Sequence, residues 1–401
     1  MASGAETVFD VAVIGGGIAG AGIARDAVLR GLDVILFEKN TFGSGTSSKS
    51  SKLIHGGIRY LDLAWKALLR ADFGEFWKNF RFVFLALREC RILETMAPGF
   101  VKPIALVIPI YRSSGRSVWP VYMGTLLYSV LGILTGSFRL PRILWTSQAV
   151  LQMFPALHPE GLAGGVMIWD HTTDDLALVK ALLESAAKNG AKVFEHASVS
   201  HYRFDAGRQI YEIKVKTGGE DFIYFARKLV NASGPWVDII RESAGERTGD
   251  FIVPVAGAHL MLKKFVDHSV ILETEDERLF FVIRIGDHCR VGTTERLHTD
   301  PDHLAATEEE TEYLLRQLNR YFPSLNFTKE NVLGTDAGIR PLARPCNSKS
   351  PHEISREHEI RIDSSGVIHV LGVKLTDHRR AAEEVVNLLS PRKTLTHRMP
   401  L

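Results

Sequence analysis

The sequence predicts an α/β fold built on a parallel sheet, with an antiparallel-sheet part interleaved into it. Three observations carry this expectation. Near the start, the β-branched run "VFDVAVIG" leads through a glycine turn and a helical pattern into a second apolar run, "LDVILFE". A strand, helix and strand in that space make a parallel βαβ unit. Almost 400 residues later a further strand and helix pattern, "GVIHVLG" and "LTDHRRAAEEVVNLL", closes the 401-residue chain. Between Phe251 and Thr294, the runs "HLMLKK", "LFFVIRI" and "CRVGTT" alternate in the manner of half-buried antiparallel strands.

The elements follow in order. From Ile18 to Arg30, residues Ile23, Ala24, Ala27 and Val28 recur at helical spacing, and Gly31 supplies the stop. Residues 62–98 read as helix, broken only at Gly74. A second helix pattern, "DDLALVKALLESAAKNG", ends at Asn189-Gly190 and gives way to the strand "AKVFEH". The Thr217-Gly218-Gly219 cluster marks a hairpin within "YEIKVKTGGEDFIYFARKLVNASG". "EEETEYLLRQLNRYF" is an amphipathic helix. A chain this long exceeds one ordinary core, so two closely packed parts are expected.

Composition narrows the class. The chain is 45% apolar and 23% charged, as globular proteins are, and a formal net charge of +2 argues against nucleic acid as the principal partner. Cys90, Cys289 and Cys346 form no C-x-x-C pair and have no neighbouring His at a ligand interval, which predicts a reduced protein without structural zinc. The start "MASGAETVFD" lacks a basic region followed by an apolar run, so a cytoplasmic location is expected. One segment complicates this. Residues 119–138, "WPVYMGTLLYSVLGILTGSF", carry no charge over 20 residues and are flanked by Arg112, Arg116, Arg139 and Arg142. Three readings fit: a membrane span, a buried helix or helix pair, or a surface that dips into the lipid interface with arginines on headgroups.

Gly15, Gly17 and Gly20 form G-x-G-x-x-G between the first strand and helix, and Glu38 ends the second strand. The first glycine makes the turn, the second admits a pyrophosphate, and the third lets helix pack on strand, while the helix N-terminus faces the anion. Glu38 can accept hydrogen bonds from ribose hydroxyls and would repel a 2′-phosphate. An adenine dinucleotide is therefore expected. A further turn, "NASGPW" at Asn231–Trp236, and the distant final strand and helix suit a cofactor that crosses the whole sheet, which favours FAD over NAD.

The segments "VIGGGIAGAGIARDA", "SSKLIHGGIRYL", "VNASGPW", "VGTTE", "AGIRPL" and "GVKLTDHR", in this order, resemble the FAD-dependent respiratory glycerol-3-phosphate dehydrogenases. These are flavoenzymes related in fold to D-amino-acid oxidase and glycine oxidase. The resemblance implies a glutathione-reductase-like, Rossmann-type FAD-binding domain over 1–69, 149–250 and 334–401. It also implies a substrate-binding cap over 70–148 and 251–333. The implied reaction is oxidation of sn-glycerol 3-phosphate to dihydroxyacetone phosphate by hydride transfer from C2 to flavin N5. Electrons would pass to membrane quinone, or to oxygen in an oxidase branch, from a protein peripheral on the cytoplasmic membrane.

Site residues follow by the same resemblance. Arg59, Arg340 and Arg356 would clamp the substrate and its phosphate, and Tyr60 would line the pocket. His259 would be the general base, since a neutral imidazole takes an alcohol proton near pH 7. Lys374, at the start of the last helix, would stand over the flavin N1–C2 edge. Thr46, Ser47, Ser48 and Ser51 would donate to the FAD pyrophosphate, and Lys52 to Gly57, including Leu53 and His55, would run beneath the isoalloxazine. Lys39, Val199, Ala232, Gly234, Gly338, Gly372, Leu375 and Thr376 complete the expected cofactor contacts.

The chain departs from the family pattern at the active-site edge. Ala256-Gly257-Ala258-His259 stands where the family has Lys-Gly-Ser-His, and Val373, Asp377 and His378 replace Gly, Thr and Tyr. A lost lysine and a gained carboxylate would lower the positive charge offered to a phosphate. Family members commonly continue into a helical C-terminal domain, whereas this sequence stops at "SPRKTLTHRMPL". The competing readings are a flavin oxidase for another hydroxy acid or amine, and a catalytically silent flavin-binding protein.

Overall fold

The computed structural model describes residues 7–246, 249–345 and 357–401. The chain opens with β1 (Val8–Ile14), α1 (Ile18–Leu29), β2 (Val34–Phe37), β3 (Leu53–Ile54), α2 (Ile58–Leu69) and α3 (Phe73–Met96). It continues through β4 (Val101–Tyr111), α4 (Val118–Leu134), β5 (Arg142–Leu144), α5 (Ser147–Met153), β6 (Leu162–Thr173) and α6 (Asp175–Lys188). Next come β7 (Lys192–Phe194), β8 (Ala197–Asp205), β9 (Ile210–Thr217), β10 (Glu220–Asn231), α7 (Val237–Ser243), β11 (Ile252–Lys263) and β12 (Ser269–Glu273). It closes with β13 (Leu279–Ile285), β14 (His288–Gly292), β15 (Arg296–Leu297), α8 (Glu308–Tyr321), β16 (Val332–Ala343), β17 (Glu359–Ile362), β18 (Ile368–Leu371) and α9 (His378–Asn387).

Two sheets result. The first has the order β17-β18-β10-β1-β2-β7, with β8 and β9 extending it from β10. β1 runs parallel to both β2 and β10, β10 parallel to β18, and β2 parallel to β7. Its core strands are apolar on both faces because both are covered: Val11, Val13, Leu36 and Val230 pack with α1, α6 and α9, and Ala12, Ile14, Ile35 and Phe37 pack with β8 and β9 on the other side. The carboxyl ends of β1, β2, β10 and β18 therefore open on one edge, where open α/β sheets bind ligands.

The second sheet has the order β15-β11-β14-β13-β12-β4-β6-β3, with β16 on β11 and β5 on β6. β11 pairs antiparallel with both β14 and β16 over the region that alternates in the sequence. β3 and β6 belong to this sheet, whereas the expected boundaries group residues 1–69 and 149–250 with the first. Strands β4 and β6, which pair along their lengths, carry too little alternation to be expected from sequence.

Several element expectations are corrected. The break in 62–98 falls before Gly74: Ala71 adopts a positive φ of 57° and Asp72 caps α3 by accepting the Glu75 N–H. α9 begins at His378, so Lys374 lies in the preceding turn and not at the helix start. Among the described residues no helix is long and apolar enough to cross a membrane, which removes the span reading of 119–138. α4 is instead two-faced. Thr125, Tyr128, Ser129, Leu131 and Gly132 are buried. Trp119, Met123, Leu127, Val130 and Leu134 recur at helical spacing on the exposed side.

Candidate active site

The glycine turn is built by close backbone approach. Gly15 has φ +105°, and a Cβ there would stand 2.7 Å from the Ala232 carbonyl oxygen, so the ends of β1 and β10 touch. A Cβ on Gly20 would meet the Gly15 carbonyl at 1.9 Å. Glu38 reaches back to the turn, accepting the Gly16 N–H at 2.7 Å with one oxygen and the Asn40 N–H at 2.8 Å with the other. Ser47 Oγ accepts the Ile18 N–H at 2.9 Å and so sits on the first turn of α1, beside Gly17. Gly234 lies at the other side of the turn, following Ala232, with φ +60°. Val199 on β8 is buried in the core behind Phe37. This cradle fits a dinucleotide: it presents a helix N-terminus, bare backbone and a strand-ending carboxylate together.

The strip after Ser47 then divides. Ser48 Oγ turns to the carbonyls of Ser44 and Gly45, and Thr46 Oγ1 donates to the Ile339 carbonyl at 2.6 Å. Ser51 leaves the glycine turn altogether: its Oγ lies 2.9 Å from His259 Nε2. Gly338 on β16 allows the strip to lie on the second sheet, since a Cβ there would stand 2.8 Å from Lys49 Cβ. Leu53 joins β3, paired with Thr172. His55 N–H donates to Thr376 Oγ1 at 3.1 Å, which ties the strip to the turn after β18. Gly57 has φ +76° and starts α2, with Arg59 and Tyr60 in its first turn. Lys374 lies 5.4 Å from the Tyr60 ring centroid and 4.7 Å from that of Phe82. Gly372 takes φ +67° at the end of β18, and Leu375 is buried beside it in the core. Arg356 and Cys346 lie outside the described residues.

The β11/β16 ladder assembles the second group. His259 is opposite Asp336, Gly257 opposite Gly338 and Val255 opposite Arg340. With a period of two, His259, Asp336 and Arg340 share one face. Asp336 receives both guanidinium nitrogens of Arg290, at 2.6 and 2.7 Å, and its Oδ1 stands 3.6 Å from His259 Nδ1. Burial lowers the His259 pKa to about 4, with the Arg290 and Arg340 charges adding to it and Asp336 opposing. The imidazole is therefore neutral near pH 7. Ser51 Oγ faces Nε2, and the Asp336 carboxylate, beyond hydrogen-bond distance of Nδ1, places negative charge at the ring's other edge. Arg340 donates to Thr293 Oγ1 at 3.1 Å, and a Cβ on Gly257 would come within 3.0 Å of the same guanidinium.

The family departures sit behind this face. Ala256 is opposite Ile339 and fully buried, so alternation points it away from His259 and Arg340. Asp377 is 3% exposed and bonds His358 Nδ1 at 3.0 Å and Arg380 at 3.2 Å. Burial would raise its carboxyl, but His358 and Arg380 outweigh burial and hold it below the usual range. His358, desolvated yet held between Asp377 and Glu384, rises to about 9 and is a cation at neutral pH. His378 donates to or accepts from nothing in the site; its Nδ1 faces the Leu375 carbonyl at 2.7 Å, against α1. Val373 packs on the first core. The carboxylate gained at Asp377 is thus paired with His358 and Arg380.

Asp336, Arg290, Thr293 and Phe82 are neighbours that sequence reasoning did not name. Asp336 was findable: in "TDAGIR" it alternates with Gly338 and Arg340 on one strand face. Cys90, Asp170 and His171, also unpredicted as neighbours, bring ligand-type atoms within 4.8 Å of one another in the core. Asp170 Oδ1 there accepts the Tyr128 hydroxyl at 2.8 Å.

Residues 10–376 match the family model described as FAD dependent oxidoreductase. The aerobic glycerol-3-phosphate dehydrogenase of Staphylococcus epidermidis is 33% identical over 394 residues, covering 96% of this chain and 68% of that protein. That of Bacillus subtilis is 32% identical over 392 residues, with 96% and 68% covered. The crystal structure of the Bacillus halodurans glycerol-3-phosphate dehydrogenase complexed with FAD superposes with a TM-score of 0.75 at 29% identity, covering 96% of this chain. The chain spans 65% of the length of that structure.

Proposed function

This chain belongs to the FAD dependent oxidoreductases, in the family of the aerobic glycerol-3-phosphate dehydrogenases, and we propose that it oxidises sn-glycerol 3-phosphate to dihydroxyacetone phosphate. The observation that supports the reading is the sheet face shared by His259 and Arg340, with Asp336 directly opposite His259 and Arg340 four residues further along β16. An alcohol bearing a phosphate needs a neutral base and a guanidinium on one surface, and His259 and Arg340 would supply them. FAD, the cofactor of the family, would be held by the glycine-turn cradle and would supply the two-electron acceptor for hydride leaving C2.

The chain's own residues do the rest. His259 takes the C2 hydroxyl proton at Nε2, the nitrogen that faces Ser51. Asp336, clamped by Arg290, stands 3.6 Å from Nδ1 and stabilises the imidazolium by its charge. Arg340 binds the substrate phosphate, with Arg59 and Arg356 as further clamps and Tyr60 lining the pocket. Lys374 places positive charge at the flavin edge. The glycine turn, Glu38 and Ser47 hold the dinucleotide, and His55 to Gly57 support its ring.

We further propose that the protein is cytoplasmic, peripheral on the membrane, and passes electrons to quinone. The support is the exposed apolar stripe of α4, continued by Phe138 and Trp145 at 82% and 63% exposure and by Trp65, Leu69 and Trp77 on the neighbouring helices. A surface of this size asks for a lipid or protein cover. Steady-state assay with glycerol 3-phosphate and a soluble quinone tests the reading. Turnover of amino acids with peroxide release, and none of the phosphate ester, contradicts it.

A further inference from the structure

Three consecutive amides in the strip at the foot of the site each donate to a side chain. His55 N–H goes to Thr376 Oγ1 at 3.1 Å, Gly57 N–H to His55 Nδ1 at 3.1 Å, and Gly56 N–H to the Tyr128 hydroxyl at 2.8 Å. Two partners come from outside the strip: Thr376 in the turn after β18, 321 residues on, and Tyr128 on α4, 72 residues on and 2% exposed. Its own proton is committed to Asp170 Oδ1 at 2.8 Å, which leaves the oxygen lone pairs for Gly56. The fit is tight, because a Cβ on Gly56 would stand 2.5 Å from that oxygen. Asp170 Oδ1 also lies 3.3 Å from the Gly56 N–H, too long to replace the hydroxyl fully.

A buried tyrosine whose hydroxyl both accepts from a glycine amide and donates to a buried carboxylate sets the height of that amide more firmly than packing alone. We propose that Tyr128 is a positioning residue for the flavin reaction: its hydroxyl holds the Gly56 peptide, and through it the His55–Gly57 strip, at the level the isoalloxazine rests on. The inference rests on the reading above, in which that strip lies beneath the flavin. Tyr128 is buried and acts through Gly56.

The test compares Tyr128→Phe with Leu131→Ala in the FAD-loaded full chain. Leu131 is buried on the same side of α4, and its loss opens a cavity without removing a hydrogen bond. Tyr128→Phe is expected to lower kcat about 10-fold or more, with KM for glycerol 3-phosphate little changed and the visible circular dichroism of the bound flavin shifted. Leu131→Ala is expected to lower Tm at least as much while keeping kcat and the flavin spectrum. Equal losses of kcat in the two variants, or an unchanged kcat and spectrum in Tyr128→Phe, overturn the proposal. If Tyr128→Phe fails to retain flavin, Asp170→Asn, which keeps an acceptor for the hydroxyl, should give a smaller shift of the same sign; no shift overturns it. If the wild-type flavin is not reduced by glycerol 3-phosphate, the substrate reading fails, and the spectral comparison alone decides the role of Tyr128.

Discussion

Ser51 Oγ and His259 Nε2 lie 2.9 Å apart although 208 residues separate them. One belongs to the strip that leaves the glycine turn, the other to the second sheet, so this single contact joins the cofactor side of the molecule to the face that carries Arg340. The base depends on it. His259→Gln should lower kcat by about 100-fold or more, as loss of a general base does. Ser51→Ala should cost less, because the imidazole that takes the proton remains. Stopped-flow reduction rates check both.

Arg340 is expected to act on binding of the phosphate. Arg340→Ala should raise KM for glycerol 3-phosphate about 10- to 100-fold, the worth of a charge-assisted hydrogen bond, with a smaller effect on kcat. Arg340→Lys should not restore it, since a point charge lacks the planar fork. Steady-state kinetics with the phosphate ester against glycerol separates the two effects.

The glycine turn sets flavin content. Gly15→Ala places a Cβ 2.7 Å from the Ala232 carbonyl at a φ of +105°, so the purified variant should lack the visible flavin absorbance. Gly99→Ala, where a Cβ meets nothing within 4 Å, should keep it. The ratio of visible to protein absorbance measures this.

Stability should peak near pH 6.5. Burial depresses His55, His259 and His378 from 6.5 to about 4, with Lys374 adding to the effect at His55. Their folded pKa values lie below the unfolded one, so the stability they confer is present above pH 6.5 and lost as pH falls toward 4. His358 is the opposite case. Its folded pKa of about 9 lies above 6.5, so its contribution is full below 6.5 and lost as pH rises through about 9. Thermal unfolding across this range should fall on both sides, and His358→Gln should flatten the alkaline limb only.

The lipid-facing proposal makes its own forecast. Replacing Trp119, Leu127 and Leu134 by Ser should reduce partition onto anionic vesicles while leaving flavin content intact; equal partition removes the proposal.

What the sequence made legible was local. The first βαβ unit, the Gly218-Gly219 hairpin and helices α6 and α8 follow from periodicity and turn chemistry confined to short windows. The strip from Ser47 to Tyr60 was legible as a site because small residues, a His and an aromatic stand side by side. Contacts between distant segments were not. Nothing in "TLLYSVL" marks Tyr128 as the partner of Gly56, and nothing in "IWDHTT" marks Asp170. Such hydrogen bonds exist only once α4 and β6 pack. The Asp377 partners were legible only in part: Arg380 is three residues on, whereas His358 comes from a segment 19 residues back. Residues 119–138 escaped a single reading because one face of α4 is core and the other is open.

The most direct test of the account is anaerobic titration of the flavin-loaded protein with sn-glycerol 3-phosphate. The account predicts full bleaching of the visible flavin band by the phosphate ester, with slow bleaching in His259→Gln and a raised half-saturation in Arg340→Ala. A band that stays oxidised with glycerol 3-phosphate but bleaches with amino acids or other hydroxy acids would contradict it.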